Sequence, residues 1–184
     1  MALITEIPYT TEEGETEFVY AADEVLNHPE QKVPLVLAMC KTGHDTRRDA
    51  QDMGWVKKAQ EEGFIVLAPD YNNASTYSET DTIASMVEYI IQNYPVDRTR
   101  VSSTAFSNGG ALSVALCRDY PQLFAGIAAF AQLVLIEGAE HTPNQYEAEA
   151  AWEFLKQYAR DEDGRIIAAP SNEGSGEVPD EQRN

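Results

Sequence analysis

The fold class this sequence predicts is α/β, a mostly parallel sheet flanked by helices, and three observations predict it. Continuous apolar runs recur at Val33–Met39 and Phe64–Ala68. Runs of that length without polar alternation read as strands buried on both faces, the habit of parallel sheets. The stretches between such runs carry apolar residues at helical spacing, and strands that alternate with helices argue a parallel sheet covered on both sides. Glycine and proline punctuate the junctions, as at Gly63 and Pro69.

The first thirty or so residues are mixed and acidic, with short strand-like pieces such as Glu17-Phe18-Val19-Tyr20. After the Val33–Met39 strand, Asp45 to Glu62 is an amphipathic stretch with Met53, Val56 and Ala59 in helical register, closed by Gly63. The Phe64–Ala68 strand stops at Pro69-Asp70, and a polar loop, Tyr71 to Thr80, follows. Asp81 to Tyr94 places Ile83, Met86, Val87, Ile90 and Ile91 on one face and predicts a helix. Asp97 to Arg100 reads as a turn, Val101 to Phe106 as a short strand, and Gly109 to Asp119 as a helix. Phe124 to Ile136 is a long apolar run. Glu147 to Arg160 predicts a further helix, with Ala150, Ala151, Phe154, Leu155 and Tyr158 facing inward. Ile166-Ile167 can add a last short strand. We expect one domain over residues 1–169 and a disordered acidic tail over 170–184, where Gly, Ser, Pro, Glu and Asp take over.

The 184 residues suffice to bury a core without disulfides. The formal charge is −18, from 31 acidic and 13 basic side chains. A field of that sign repels nucleic acid and anionic membranes, so neither is expected as a partner. No apolar run approaches the roughly 20 residues that span a bilayer. Cys40 and Cys117 make no disulfide framework and read as reduced, packed thiols. The N-terminus has no basic segment followed by an apolar one, so the expected location is cytoplasmic, or secreted if a leader has been removed. Neither a Cys-x-x-Cys nor a His-x-x-x-His pattern is present, and no phosphate loop is; no metal or cofactor is expected.

The most informative segment is Thr104-Ala105-Phe106-Ser107-Asn108-Gly109-Gly110. It follows an expected strand and opens an expected helix. A strand–Ser–helix turn projects a serine from the carboxyl edge of a sheet. The turn is tight and demands small residues two before and two after the serine, here Ala105 and Gly109. The usual pattern has glycine where Ala105 stands. The Asn108 N–H would lie in the first helical turn, where donors lack intrahelical acceptors and can hold an oxyanion. The bland alternative is that Ser107 caps the helix.

From about Pro34 to Ala131 the chain resembles the polyhydroxybutyrate-depolymerase and feruloyl-esterase branch of the α/β-hydrolases. Pro34-Leu35-Val36-Leu37-Ala38, Gly54-Trp55 and Gly63-Phe64-Ile65-Val66-Leu67-Ala68-Pro69-Asp70 carry the resemblance. So do Phe106-Ser107-Asn108-Gly109-Gly110-Ala111 and Tyr120-Pro121-Gln122-Leu123-Phe124-Ala125-Gly126-Ile127-Ala128. The resemblance implies a truncated α/β-hydrolase-like fold and a serine esterase. Of the three histidines, His28 is expected at the surface, His44 follows the first buried strand, and His141 stands in Gly138-Ala139-Glu140-His141-Thr142. In the resembled branch the catalytic histidine holds such a place, before a helix with Trp-Glu-Phe; here that helix carries Trp152-Glu153-Phe154. The branch usually places His-Gly after its first central strand, and Cys40-Lys41-Thr42-Gly43 stands there instead. The Thr42 or Lys41 amide can still serve as second oxyanion donor, and Thr42 is the one we take.

The acid is not assignable. Only 33 residues separate Ser107 from His141, and their acids are Asp119, Glu137 and Glu140. Asp119 is expected at the far end of the elbow helix, and the two glutamates stand very near His141 in sequence. Asp70 is a substitute candidate that also reads as a plain turn residue. The run Phe124 to Ile136 reads as two family strands joined directly, and neighbouring parallel strands need a crossover of about a dozen residues. The acid-bearing strand therefore looks deleted. The expected function is hydrolysis of a small-molecule carboxylic ester through Ser107 and His141, with oxyanion donors at Asn108 and Thr42. The alternative is an impaired or inactive remnant serving as a binding or oligomerising scaffold, and an open sheet edge would favour a homodimer.

Overall fold

The computed structural model describes residues 4–10, 16–39, 46–69, 80–130 and 146–170. In chain order the elements are β1 (Ile4–Thr10), β2 (Thr16–Ala22), α1 (Asp23–Asn27), β3 (Val33–Met39), α2 (Thr46–Asp52), α3 (Trp55–Glu62) and β4 (Ile65–Ala68). They continue with α4 (Thr80–Asn93), β5 (Val96–Phe106), α5 (Asn108–Asp119), β6 (Gly126–Phe130), α6 (Tyr146–Leu155), β7 (Tyr158–Arg160) and β8 (Ile166–Ala168). Six strands form one sheet in the order β1-β2-β4-β3-β5-β6. β4, β3, β5 and β6 run parallel, and β1 and β2 join antiparallel. The expected mostly parallel sheet is present, extended by an N-terminal hairpin whose second strand contains the expected strand-like piece Glu17-Phe18-Val19-Tyr20.

Side chains alternate cleanly across the central strands. Leu35, Leu37 and Met39 of β3, Ile65 and Leu67 of β4, and Val101 and Ala105 of β5 enter one core with Ile83, Val87 and Ile90 of α4 and Leu112 and Leu116 of α5. Val36, Ala38, Phe64, Val66, Ala68 and Phe106 enter the other, with Met53, Trp55 and Ala59 of the α2–α3 region and Trp152 and Leu155 of α6. Two apolar faces on one sheet explain why these strands carry no polar alternation. At their centre Leu35, Val36, Leu37, Val66 and Leu67 are wholly buried.

Three segments differ from expectation, each for a local reason. The stretch 45–62 is two helices rather than one amphipathic unit. Gly54 breaks it at φ 83°, a left-handed conformation that a side chain would strain. Gly63 then ends α3 at φ 73°, its N–H donating to Ala59 O at 2.9 Å, as its sequence position suggested. The expected turn at Asp97 to Arg100 is instead the start of an eleven-residue β5. There the Asp97 carboxylate accepts from the Thr99 N–H at 2.9 Å, the Thr99 hydroxyl at 2.6 Å and Arg100 Nε at 2.7 Å. The bond from Thr99 N–H is the local one that the turn-like composition favours, and the strand absorbs it as a bulge: the β3–β5 register jumps from Val33–Val96 to Leu35–Val101.

The third difference is the last helix, which ends at Leu155 rather than Arg160. Its inward stripe is Ala148, Ala151, Trp152 and Leu155; Ala150 and Phe154 are exposed. The rotation follows from Trp152, whose ring stacks on Phe64 at 4.1 Å with an interplanar angle of 24°. Lys58 of α3 also pairs with Glu149 of α6, fixing the same orientation from outside. Tyr158 begins a two-stranded ribbon with the Ile166–Ala168 strand, so the expected final strand exists but lies outside the main sheet. Arg160 ties that ribbon to the body by donating to Phe124 O at 2.9 Å and to Pro121 O. The second half of the Phe124–Ile136 run and the expected tail beyond Pro170 lie outside the described residues. Among those described, no helix is long and apolar enough to cross a membrane.

Two measurements follow from this packing. Trp152→Ala should cost about 3–5 kcal/mol, read as a lower urea midpoint at unchanged slope. For Asp97, burial pushes the carboxyl up, but the hydrogen bonds from Thr99 and Arg100 outweigh it and hold the group below the usual carboxylate value. A depressed folded pKa gives stability present above the unfolded pKa and lost as pH falls through the folded one. Asp97→Asn should therefore cost about 1–2 kcal/mol at neutral pH. Urea titrations of variant and parent at a series of pH values should converge below about pH 4.

Candidate active site

The sheet has a reversal at its centre. From β3 the chain passes to β4 on one side, then returns beyond β3 to β5 on the other. The helices reverse faces with it: α2 and α3 lie on one face, α4 and α5 on the opposite one. In open α/β sheets such a switch point leaves a crevice at the carboxyl ends of the strands. Ser107 stands there, between the last residue of β5 and the first of α5.

Its backbone is the distinguishing observation. Ser107 has φ 57° and ψ −124°, and among the described residues it is the only one other than glycine with positive φ. A residue with a Cβ pays on the order of 1–3 kcal/mol for such a conformation, and strained backbone clusters at functional sites. The helix-cap alternative has a specific requirement, a hydrogen bond from the serine side chain to the first turn. The Ser107 side chain makes no such bond. The turn is closed by the backbone instead, with Gly110 N–H donating to Ser107 O at 3.0 Å. Ala105 and Gly109 are buried on either side, as a tight turn requires, and Ser107 itself is half-buried.

Asn108 is exposed and opens α5, so its N–H belongs to the first turn, where donors have no acceptor within the helix. Thr42, His44 and His141 lie outside the described residues, as do Cys40, Asp70, Glu137 and Glu140. The ends of the neighbouring strands are informative all the same. Met39, the last residue of β3, is in register with Ala105, and Phe130, the last of β6, with Phe106. The chain thus leaves both strands flanking β5 level with the elbow.

The described groups sort clearly. His28 precedes β3, at the amino edge of the sheet, and its Nδ1 pairs with Glu30 at 3.2 Å. The seven residues of β3 put about 20 Å between the two edges, so His28 cannot serve Ser107. Asp119 closes α5, twelve residues or about 18 Å along the helix from the elbow. It accepts from Arg118 Nε at 2.7 Å and from the Thr80 hydroxyl at 3.4 Å; Arg118 holds its carboxyl below the usual range. Cys117 is partly buried, and burial pushes its thiol up to about 12, which leaves no thiolate at neutral pH. A cleft of about 720 Å³ opens between β3, β5 and α6, lined by Val33, Arg100, Ser102, Trp152 and Tyr158. It borders the amino halves of the strands and is separate from Ser107.

One arrangement escaped the sequence reading. Ser103 of β5 and Ser113 of α5 share a hydrogen bond, and both are wholly buried. The hint was two serines at core-facing positions, one in step with Val101 and Ala105, the other next to Leu112 and in helical step with Leu116.

Comparisons with known proteins agree with the α/β fold. No family model matches the chain. Feruloyl esterase B of Talaromyces funiculosus is 25% identical over 127 residues, 61% of this chain and 35% of that protein. Acetylxylan esterase A of Emericella nidulans is 31% identical over 91 residues, 42% of this chain and 30% of that protein. The chain spans about a third of the length of these two relatives. Among solved structures, an acetyl xylan esterase from Aspergillus awamori superposes with a TM-score of 0.55 at 21% identity, over 68% of this chain and 50% of that one. A thermostable esterase superposes at 0.63 and 15% identity, over 85% and 63%.

The strain at Ser107 can be isolated by comparing two variants that both lack the hydroxyl. Ser107→Gly should be more stable than Ser107→Ala by about 1 kcal/mol, because glycine adopts positive φ without a Cβ penalty. Equilibrium unfolding of the pair in urea reads this directly.

Proposed function

We propose that this chain, which has the α/β-hydrolase fold and is similar in sequence to feruloyl and acetylxylan esterases, is a serine hydrolase of carboxylic esters with Ser107 as nucleophile. The observation that carries the reading is the strained strand–Ser–helix turn at the switch point. The sequence similarity to esterases supports it independently.

In this mechanism Ser107 Oγ attacks the ester carbonyl carbon while His141 takes the hydroxyl proton. The new C–O bond makes a tetrahedral oxyanion, held by the N–H groups of Asn108 and Thr42. Collapse breaks the bond to the alcohol, which leaves with the proton from His141. Water, deprotonated by the same imidazole, then attacks the acyl-serine; the bond to Ser107 Oγ breaks, the imidazole returns its proton to that oxygen, and the acid is released. His141 is the favoured base because the segment that carries it follows β6, which ends level with the elbow. The order Ser before His is also that of this fold. The substrate class is a small-molecule ester of the feruloyl or acetyl kind, by analogy with the relatives. A partial triad retains measurable catalysis, so an unassigned acid does not argue against activity. The alternative of an inactive scaffold gives no reason to keep a strained, uncapped serine at the elbow.

Turnover of p-nitrophenyl acetate tests the proposal. Ser107→Ala and His141→Ala should each lower kcat by roughly 10³-fold or more; His28→Ala should leave it unchanged. A rate that follows one group titrating near pH 6–7 is expected for a histidine base. Activity that survives Ser107→Ala would rule this serine out.

A further inference from the structure

The strain at Ser107 raises a question that the nucleophile alone does not answer. A backbone conformation that costs free energy persists only where its surroundings over-determine it. The residues before Ser107 are held by the sheet: Ser103, Thr104, Ala105 and Phe106 are paired with β6, and the first three of these also with β3. The residues after it belong to α5, a helix that meets the sheet through a largely apolar layer of Ala105, Leu112 and Leu116. Apolar contacts are non-directional and permit small slides of a helix on a sheet. Only a directional bond between β5 and α5 fixes the two arms of the elbow against each other.

Among the described residues, the Ser103–Ser113 hydrogen bond is such a bond. Ser103 lies four residues before Ser107 and Ser113 six after, so the bond closes a loop with the elbow inside it. Both side chains are at 0% exposure, so no water competes and the pair carries full directional weight. Alanine keeps the Cβ at either position and removes only the hydroxyl, so it isolates the bond with a small loss of volume. We infer that Ser103 and Ser113 are positioning residues for the reaction: their buried hydrogen bond braces strand against helix and holds the Ser107 hydroxyl in its attacking geometry. This inference rests on the reading of Ser107 as the nucleophile.

The chemistry of the pair separates positioning from mere stability. Removing one hydroxyl leaves the other buried without its partner, which destabilises; removing both leaves no orphaned hydroxyl and costs less. Reactivity behaves otherwise, because the brace is absent in all three variants. The test is the rate of covalent labelling by a fluorophosphonate ester, followed by intact-protein mass, alongside thermal unfolding. It covers parent, Ser103→Ala, Ser113→Ala and the Ser103→Ala/Ser113→Ala double variant. We expect the single variants to melt below the parent and the double variant to recover part of that loss. All three should label roughly tenfold more slowly, since small misplacement of a reacting atom costs one to two orders of magnitude. A folded double variant that labels at the parent's rate would overturn the inference and leave the nucleophile intact. A folded parent that takes no label would overturn the reading of Ser107 itself, and the inference with it.

Discussion

Ser107 adopts φ 57° and ψ −124°, and the layers around it are arranged so that the chain has little other choice. A parallel strand delivers it to the carboxyl edge, and a helix departs at once toward the opposite edge. Reversing from strand to helix within one residue requires an unusual backbone angle, and that angle turns the side chain away from the cap position. The Ser107 side chain accordingly makes no cap bond to α5, and the residue stands at the carboxyl edge of the sheet. The same turn sets the Asn108 N–H at the head of α5, where a helix favours negative charge. One backbone conformation thus provides a hydroxyl and an adjacent donor in fixed relation.

The two apolar faces of the sheet sustain this turn from both sides. Ala105, immediately before the elbow on the α5 face, and Phe106, on the α6 face, each enter a different core. The strand cannot roll to relieve the strain without unpacking one of them. On the α6 face the packing is aromatic, with Trp55, Phe64 and Trp152 in contact. On the α5 face it is aliphatic and carries the buried Ser103–Ser113 hydroxyl pair. The rigid support and the candidate chemistry therefore meet in β5.

The parts of this architecture that were legible in the sequence are those decided by local pattern. The runs at Val33–Met39 and Phe64–Ala68 could only be doubly buried strands, and small residues beside Ser107 announced a tight turn. What stayed hidden was decided by tertiary contact. Asp97, Thr99 and Arg100 have the composition of a turn, and they are carried within β5 as a bulge because Val96 and Val101 pair with β3 on either side. The last helix was expected to turn Ala150, Ala151, Phe154, Leu155 and Tyr158 inward, whereas Ala148, Ala151, Trp152 and Leu155 face the core. The choice fell to the second set because Phe64, far away in sequence, accepts the Trp152 ring. The hairpin of β1 and β2 lacks a strong alternation and takes its place by pairing with β4. The partnership of Ser103 and Ser113 could not be read either: their core-facing positions hint that each is buried, but which group each one meets is decided only when strand and helix are packed together. Of the candidate site, Ser107 and Asn108 could be followed from motif to geometry.

The central claim is that the elbow makes Ser107 a nucleophile, and trapping the covalent intermediate tests it most directly. Protein mixed with p-nitrophenyl acetate and quenched in acid within the first turnover should release a burst approaching one p-nitrophenol per chain. Peptide mass mapping should then place one acetyl group on Ser107. A folded sample that gives no burst, or acetyl found on another residue while Ser107 stays unmodified, would contradict the account.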